Sequence, residues 1–364
     1  MTHVLPDASR TSADDLELAS VRAAIRGEVE RGPNEAARRA AAARANISKG
    51  LERDIAALRV PLLATRVAEL AMFGSLWALG GWVVMAGVHA SSPPLGVVLR
   101  VAGTLVVALA LHAIALLLHD GVHHTLLRHR GANRWLSVLL GASVLMSASA
   151  YQAMHERHHI FLGDARDPDD YHNYSGDRRL IWAMHYLRLL VGSFLYIALI
   201  PVMVAKRATR SEQWRVMQEY AVLTVVYAAL WTWVPHSLLV HAWLVPIIPA
   251  GIMFNIRSLA AHGITDSQDP LLASRSIDAH PVVAFFFRNE NYHLEHHLFP
   301  EIPSYNLKAV HRLVYPRMPH AATSRSYLAF LRAFVRQSIR LDESPIGVVT
   351  PSDADVSPPN RRGS

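Results

Sequence analysis

Long apolar segments constrain the fold of this chain more than any other feature. Residues 70–90 and 95–118 each approach the length of about 20 residues that a helix needs to cross a bilayer, and Ser91, Ser92, Pro93 and Pro94 form a turn between them. Residues 220–256 are apolar over almost twice that length, and Pro235 lies near their middle, so they read as two further spans. The sequence therefore predicts four transmembrane helices in two hairpins.

Histidine is concentrated in three short clusters that adjoin these apolar segments. The clusters are His119/His123/His124, His155/His158/His159 and His293/His296/His297. Histidines at positions i, i+3 and i+4 share one face of a helix, so each cluster can direct two or three imidazoles toward one point. His124 follows His119 by five residues and would point elsewhere on a regular helix, so it is the weaker candidate. We expect Asp120 to accept a hydrogen bond from one of the imidazoles.

The number and type of these side chains indicate a site for two metal ions. Eight or nine nitrogens exceed the four ligands of a typical zinc site. The chain contains no cysteine, which excludes disulfides, thiolate ligands and iron–sulfur clusters. Any bound metal must therefore be held by nitrogen and oxygen.

A shared site also restricts the topology. The three clusters can meet only if an even number of membrane crossings separates them, so the shorter apolar runs, 135–150 and 187–205, are expected to lie in the membrane interface. The basic residues 206–210 then fall on the cytoplasmic side, as the positive-inside rule prefers. The result is an all-α, multi-pass integral membrane protein with interfacial helices and a histidine-rich cap. The cap and both termini are expected in the cytoplasm, and a bacterial inner membrane is the expected setting.

The two ends of the chain differ in composition from the apolar middle. Residues 1–60 are rich in Ala, Arg and Glu and are predicted to form a solvated cytoplasmic extension. Residues 61–340 form the predicted membrane domain. Residues 341–364 collect Pro, Ser, Asp and Gly and are predicted to be a disordered tail.

Two unrelated functions remain as distant alternatives. His155, Glu156 and His159 match H-E-x-x-H, the motif in which two histidines hold zinc and the glutamate is the general base of a protease. That interpretation gives no role to His158 or to the other two clusters. A metal transporter would require ligands that continue through the spans, where only scattered histidines and few acidic residues occur.

The order of the three clusters resembles that of a known family. H-D-x-x-H is followed by H-x-x-H-H and then by N-x-H-x-x-H-H-L-F-P, which together resemble the membrane fatty acid desaturase superfamily of non-haem di-iron enzymes over residues 70–317. The resemblance implies iron ligands at His119, His123, His155, His158, His159, His293, His296 and His297. It also implies a ligand at His262 and a metal-bound water held by Asn291. Ala261 departs from the pattern, because related sequences often have a carboxylate before this histidine.

The same resemblance implies a reaction that consumes dioxygen. The expected activity is that of a desaturase, which introduces a C=C bond into a fatty acyl or other lipid-like substrate. The di-iron centre is expected to carry out this reaction without a separate catalytic side chain. A hydroxylase, a ketolase or a desaturase of small, amino-acid-derived amphiphiles would share these ligands and stays open. The chain carries no dinucleotide-binding motif, so a separate ferredoxin, or a cytochrome with its reductase, is the expected electron donor. No organic cofactor site and no nucleic-acid partner are expected.

Overall fold

Helices form nearly all of the regular structure in the part of the chain that the computed structural model describes, which comprises residues 35–164, 166–170, 177–265 and 269–338. The first eight are α1 Glu35–Ser48, α2 Glu52–Ala57, α3 Leu63–Val88, α4 Pro93–Val122, α5 Arg130–Ser143, α6 Ala148–Phe161, α7 Arg178–Arg207 and α8 Arg210–Trp233. The others are α9 His236–Leu239, α10 Val245–His262, α11 Pro281–Phe286, α12 His293–Leu298, α13 Leu307–Val314 and α14 Tyr327–Ser338. The tail predicted at residues 341–364 lies outside the described residues.

Short elements connect these helices. A π-helical segment, Val240–Leu244, joins α9 to α10, and 3₁₀ turns occur at Ser304–Asn306 and Tyr315–Arg317. Strands β1 (Ser276–Ile277) and β2 (Thr323–Ser324) pair in parallel and tie the segment before α11 to the segment before α14.

Four helices among the described residues are long and apolar enough to cross a membrane, as the sequence predicts. They are Leu63–Val88, Pro93–Val122, Trp182–Arg207 and His236–His262, and α5 with α6, bent by 102°, could make a fifth. The break predicted at Pro235 is present between α8 and α9. One difference concerns the identity of the spans: the helix that contains residues 187–205 qualifies by length and composition, whereas α8 does not, because its first three turns are polar.

Both ends of α7 contact segments that adjoin the histidine clusters. Near its start, the ring of His185 stacks on Phe334 of α14 with the ring centroids 4.0 Å apart, and α14 packs on the end of α10. At its end, Arg207 donates a hydrogen bond to the carbonyl of Arg166 at 2.7 Å, in the loop that follows α6. The outer part of α7 exposes several leucines, including Leu190 and Leu199.

Helix α4 is held at the centre of the protein by its close contact with α3. A Cβ atom on Gly80 would lie 3.0 Å from the carbonyl oxygen of Gly103, and one on Gly103 would lie 2.7 Å from the carbonyl oxygen of Gly80. Small residues at such positions let two helix backbones approach closely. The following turns of α4, including Val107 and Leu111, are fully buried. This packing fixes the C-terminal end of α4, where the first histidine cluster begins.

Helix α6 carries the second cluster, and its start is anchored twice. The Ser147 hydroxyl caps the helix by accepting a hydrogen bond from the amide of Ala150 at 3.1 Å. The carboxylate of Glu219, from α8, accepts from the amides of Ala148 and Ser149 at 2.6 and 3.0 Å. A negative charge is favourable at this position, because the first amides of a helix have no partner within the helix. These contacts set the direction in which α6 projects its histidines.

The N-terminal helices α1 and α2 belong to the folded body, which corrects the prediction of a solvated extension for their part of residues 1–60. Ile47 and Ile55 are buried in one cluster with Leu294 and Phe299, next to the third histidine cluster. Arg317 donates a hydrogen bond to the carbonyl of Ile47 at 2.8 Å. The surrounding composition predicts solvation, because most of this segment is Ala, Arg and Glu and only a few apolar side chains make the contact.

Candidate metal centre

Nine histidines converge where four helices end or begin. His119 lies in the last turn of α4 and His123 follows it, α6 carries His155, His158 and His159, His262 is the last residue of α10, and α12 carries His293, His296 and His297. The clusters predicted from the sequence are therefore adjacent in the fold, and the helix that ends at His262 adds one histidine to them.

Five of these imidazoles form a first group. His119, His123, His155, His159 and His296 each offer a nitrogen, and the five nitrogens all lie within 4.8 Å of one another. The Nε2 atom of His155 is 2.8 Å from that of His119 and 3.2 Å from that of His159. The Nε2 atom of His159 is 3.1 Å from that of His296.

The remaining four imidazoles form a second group. His158, His262 and His297 offer nitrogens that also lie within 4.8 Å of one another. The Nε2 atom of His262 is 3.2 Å from that of His297 and 3.0 Å from that of His293, which brings His293 to this group. The adjacent pairs His158/His159 and His296/His297 are thus divided between the groups.

The spacing of the nitrogens is close enough for them to share a metal ion. Two ligands at a right angle, with bonds of about 2.1 Å, lie about 3.0 Å apart, whereas tetrahedral ligands lie about 3.4 Å apart. The separations of 2.8–3.2 Å are close to these values. In addition, the Nε2 atom of His123 is buried and has no hydrogen-bond partner within the described part of the chain. A metal ion would satisfy this nitrogen.

The imidazoles of the third cluster are poised to donate lone pairs. Burial lowers the pKa of His296 and His297 well below the ordinary histidine value, because desolvation disfavours the imidazolium form. The neutral ring is the form that binds a metal. Nitrogen donors without thiolates suit iron, copper, nickel or zinc better than magnesium or calcium. The residues present therefore fit a pair of transition-metal ions.

Glu290 connects the two groups, and the sequence analysis missed it. Its Oε2 atom is 3.1 Å from Nδ1 of His293, and its Oε1 atom is 3.3 Å from Nδ1 of His119. Burial would raise the pKa of Glu290, but the charge interactions and hydrogen bonds with His119 and His293 hold it well below its usual range. The guanidinium of Arg257 lies 3.5 Å from the same carboxylate. The one sequence signal for this role is an acidic residue three positions before His293.

Asp167 orients His158, an imidazole of the second group. Nδ1 of His158 is 2.9 and 3.1 Å from the two carboxylate oxygens of Asp167. A carboxylate on one ring nitrogen fixes the proton there and leaves the other nitrogen free to bind a metal. Burial alone would lower the pKa of His158, but the contact with Asp167 raises it to about 9, so a bound metal ion would have to displace a proton from this ring.

Among the described residues, the carboxylate of Asp120 contacts arginines and Ser304 and no imidazole, which corrects its expected role. Its carboxylate pairs with Arg66 and with Arg288, each at 2.8 Å, and accepts a hydrogen bond from the amide of Ser304 at 3.0 Å. Both arginines are buried and both also pair with Glu69 of α3. Because successive side chains on a helix are rotated by about 100°, Asp120 faces away from the site that its neighbour His119 enters.

His124, Asn291 and Glu156 lie outside both groups. His124 has a left-handed backbone conformation with φ of 59°, and its Nε2 atom is 3.0 Å from the side-chain amide of Gln152. Glu156 accepts a hydrogen bond from the same amide at 3.0 Å, so the glutamate of the H-E-x-x-H motif is on the His124 side of α6. Asn291 donates to the carbonyl of Ile277 at 2.8 Å, and its buried Oδ1 atom has no protein partner in the described ranges.

Fold and site together define a helical membrane protein with a buried polyhistidine centre suited to two metal ions. A family model for fatty acid desaturases matches residues 95–329, which include every candidate ligand. The chain therefore belongs to the fatty acid desaturase family, as its motifs predict, and is a desaturase-like oxidoreductase.

Named relatives of this chain come from mammals. The sphingolipid delta(4)-desaturase/C4-monooxygenase DES2 of Bos taurus is 27% identical over 229 residues, which cover 62% of this chain and 68% of that protein. The Mus musculus and Homo sapiens proteins of the same name are each 26% identical over 235 residues, with the same shares covered. These similarities support a lipid desaturase or hydroxylase type of oxidoreductase.

Proposed function

We propose that this protein uses two iron ions and dioxygen to desaturate a lipid substrate. The observation that supports this proposal most directly is the division of nine imidazoles into groups of five and four, with nitrogen separations that suit two neighbouring ions. One ion would be held by His119, His123, His155, His159 and His296, and the other by His158, His262, His293 and His297. Bound iron would supply the oxidising power to remove hydrogen from an unactivated carbon, which no side chain has.

The protein residues around the site would hold the ligands and exclude water. Glu290 would hold the Nδ1 proton of His293 through a hydrogen bond and would attract the ring of His119 through its charge, and so would direct one imidazole into each group. Asp167 does the same for His158. The free Oδ1 atom of Asn291 supports the predicted role of this residue as the acceptor of a metal-bound water. Burial of Glu290 and of five of the nine imidazoles would limit the access of water to the site.

A lipid is the substrate class that the surroundings favour. Exposed apolar helices lead to the site, so a long chain could reach it from the bilayer. The named relatives are sphingolipid enzymes, which supports a long-chain substrate here. Their name includes both desaturase and monooxygenase, so hydroxylation is the second candidate function. Fatty acyl groups and smaller amphiphiles are the alternative substrates of the same centre.

We further propose that α8 and the segment from α9 to α10 form the second hairpin, and that α7 lies in the interface. Glu212, at the start of α8, pairs with Arg157 near the metal ligands. Tyr227 of α8 donates to the carbonyl of Ala142 at 2.9 Å, at the far end of α5. Helix α8 therefore leads away from the histidines, and α10 returns to them at His262. The contacts at both ends of α7 favour the same arrangement.

This topology places all three clusters on one side, for which the cytoplasm is the proposed assignment. An electron donor is also required, and a ferredoxin, or a cytochrome with its reductase, would supply the electrons from the cytoplasm. A bacterial inner membrane stays the predicted setting.

The test combines metal analysis with product analysis. Protein expressed with iron-57 would be purified in detergent, and we expect about two irons per chain and a Mössbauer spectrum of nitrogen-ligated, high-spin iron. The same protein would then be supplied with an electron donor and lipids, and the products would be analysed by mass spectrometry. Loss of two hydrogens indicates desaturation, and gain of one oxygen indicates hydroxylation. One zinc and no iron would refute the proposed centre.

A further inference from the structure

A polar cavity, separate from the candidate metal centre, lies on the side of α6 opposite the proposed metal ligands. It has a volume of about 190 Å³ and is bounded by α5, α6 and the first turns of α8. Charged and polar side chains that line it include Arg130 and Arg134 from α5, Gln152 and Glu156 from α6, and Arg215 from α8. None of these residues is used in the proposed reaction. We refer to this space as the α5–α6–α8 cavity.

The charges that line the α5–α6–α8 cavity favour an anion. Arg130, Arg134 and Arg215 bring three guanidinium groups to it. Two carboxylates also line it, and one of them, Glu212, is paired on both oxygens with Arg157 at 3.0 Å. Glu156 is the other, so positive groups remain in excess. Guanidinium groups bind phosphate well because their planar N–H donors match its oxygens.

The surface beside the cavity is that of a protein at the membrane interface. Trp135 of α5 is 63% exposed and Trp214 of α8 is 60% exposed, and both adjoin cavity residues. Leu139 and Met217 continue these two exposed apolar surfaces. Tryptophan beside arginine is typical of the level where lipid headgroups meet the hydrocarbon. Lipid tails would cover the apolar side chains, while the cavity would receive a headgroup.

The position of the cavity agrees with the proposed topology. Helices α5 and α8 line the cavity with their first turns, at Arg130 and Arg134 and at Glu212 and Arg215, and α6 lines it from Ala148 to Glu156. The cavity is at the level of the histidines, because His124, next to His123, lines it. The cavity therefore opens at the headgroup level of the leaflet that faces the metal centre.

We propose that the α5–α6–α8 cavity binds the phosphate of an anionic phospholipid, with Arg134 and Arg215 as the main ligands of the phosphate. The site is separate from the reaction, and it rests on the proposed topology and not on the identity of the substrate. Its occupant would contact Gln152, whose amide is 3.0 Å from both His124 and Glu156. Because a ligand that binds only the folded state stabilises it, bound lipid would raise the thermal stability of the α6 region and so of the metal centre.

The test measures lipid binding without turnover. The full-length protein would be delipidated in detergent and titrated with phosphatidylglycerol, phosphatidylcholine or inorganic phosphate, with bound lipid counted by native mass spectrometry. We expect one phosphatidylglycerol per chain, bound in preference to phosphatidylcholine. The double variant Arg134→Gln/Arg215→Gln should weaken this binding about tenfold or more, since charge-assisted contacts to phosphate are lost. The Arg134→Lys/Arg215→Lys variant keeps the charge but loses the planar donors, so its affinity should lie between those of the wild type and the glutamine variant.

Controls separate this proposal from a folding defect and from failure of the proposed function. Arg332→Gln, on the exposed face of α14, removes an arginine far from the cavity and should bind lipid as the wild type does. Metal content would be measured on every sample, so that loss of the centre is recognised independently of lipid affinity. Lipid binding that is lost in the Arg134→Gln/Arg215→Gln variant and kept in Arg332→Gln supports the site, whether or not the protein contains iron.

Three outcomes would overturn the proposal. The first is equal phosphatidylglycerol affinity in the wild type and in the glutamine variant. The second is inorganic phosphate that binds as tightly as the lipid, because the cavity would then take a free anion. The third is a glutamine variant that keeps its lipid affinity but accepts electrons more slowly from an acidic carrier protein, because the arginines would then serve a protein partner.

Discussion

Adjacent histidines in this protein face different groups, because successive side chains on a helix are rotated by about 100°. His123 and His124 give the simplest test. The Nε2 atom of His123 is buried beside four other imidazoles, whereas His124 turns toward Gln152. We therefore expect His123→Ala to lower the iron content and to change the Mössbauer spectrum. His124→Ala should retain about two irons per chain. Equal iron loss in both variants would contradict the assignment.

Glu290 should control metal affinity without binding metal itself. In Glu290→Gln the side chain keeps its size but loses the charge that accepts a hydrogen bond from His293 and attracts the ring of His119. Removal of a carboxylate that orients metal-binding histidines typically costs 10- to 100-fold in affinity. We expect a loss of about that size, measured as the iron retained during competition with a chelator. Glu52→Gln, at an exposed position of α2, is the matched control. Unchanged retention in Glu290→Gln would exclude the orienting role.

Asp120 joins three elements, so its substitution should affect stability more directly than chemistry. Asp120→Asn leaves Arg66 and Arg288 buried with less negative charge, although both keep their contact with Glu69. Breaking a buried charge network of this kind costs about 3–5 kcal/mol. We expect the midpoint of thermal unfolding, measured by tryptophan fluorescence in detergent, to fall by several degrees. Addition of ferrous iron should not restore the midpoint. A variant with wild-type stability but altered iron spectra would instead support contact between Asp120 and an imidazole.

The histidine spacing predicts that each cluster directs its imidazoles to one side of a helix, because residues one turn apart share a face, and the structure brings these imidazoles together. Contacts between distant segments are not predictable in this way. Glu290 is 171 positions from His119, and no local pattern indicates that they meet. The packing of Ile55 on Phe299 depends on a few side chains within a polar segment. Asp120 is misassigned for a related reason, since its arginine partners come from two other elements.

The apolar composition predicts the number of long apolar helices but cannot decide which of them cross the membrane. Helix α7 is apolar enough to span, yet both of its ends contact segments near the metal site. Helix α8 has polar first turns, yet it leads from the metal site to the far end of α5. Hydropathy averages over a helix and does not record where its ends lie. Contacts at the ends carry that information, and they favour α8 as the span.

Cysteine labelling can decide between these topologies, because the chain contains no cysteine of its own. Single substitutions at four exposed serine or lysine positions, each near the end of a helix, would report on which side of the membrane that position lies. They are Ser91→Cys, Ser211→Cys, Ser237→Cys and Lys308→Cys. A maleimide that cannot cross the membrane would be added to intact cells or to inverted vesicles. If α8 spans, Ser211→Cys and Lys308→Cys should react from one side, and Ser91→Cys and Ser237→Cys from the other. If α7 spans instead, Ser211→Cys should react together with Ser91→Cys and Ser237→Cys. That result would refute the proposed hairpin of α8 and α10, while the three histidine clusters would still share one side.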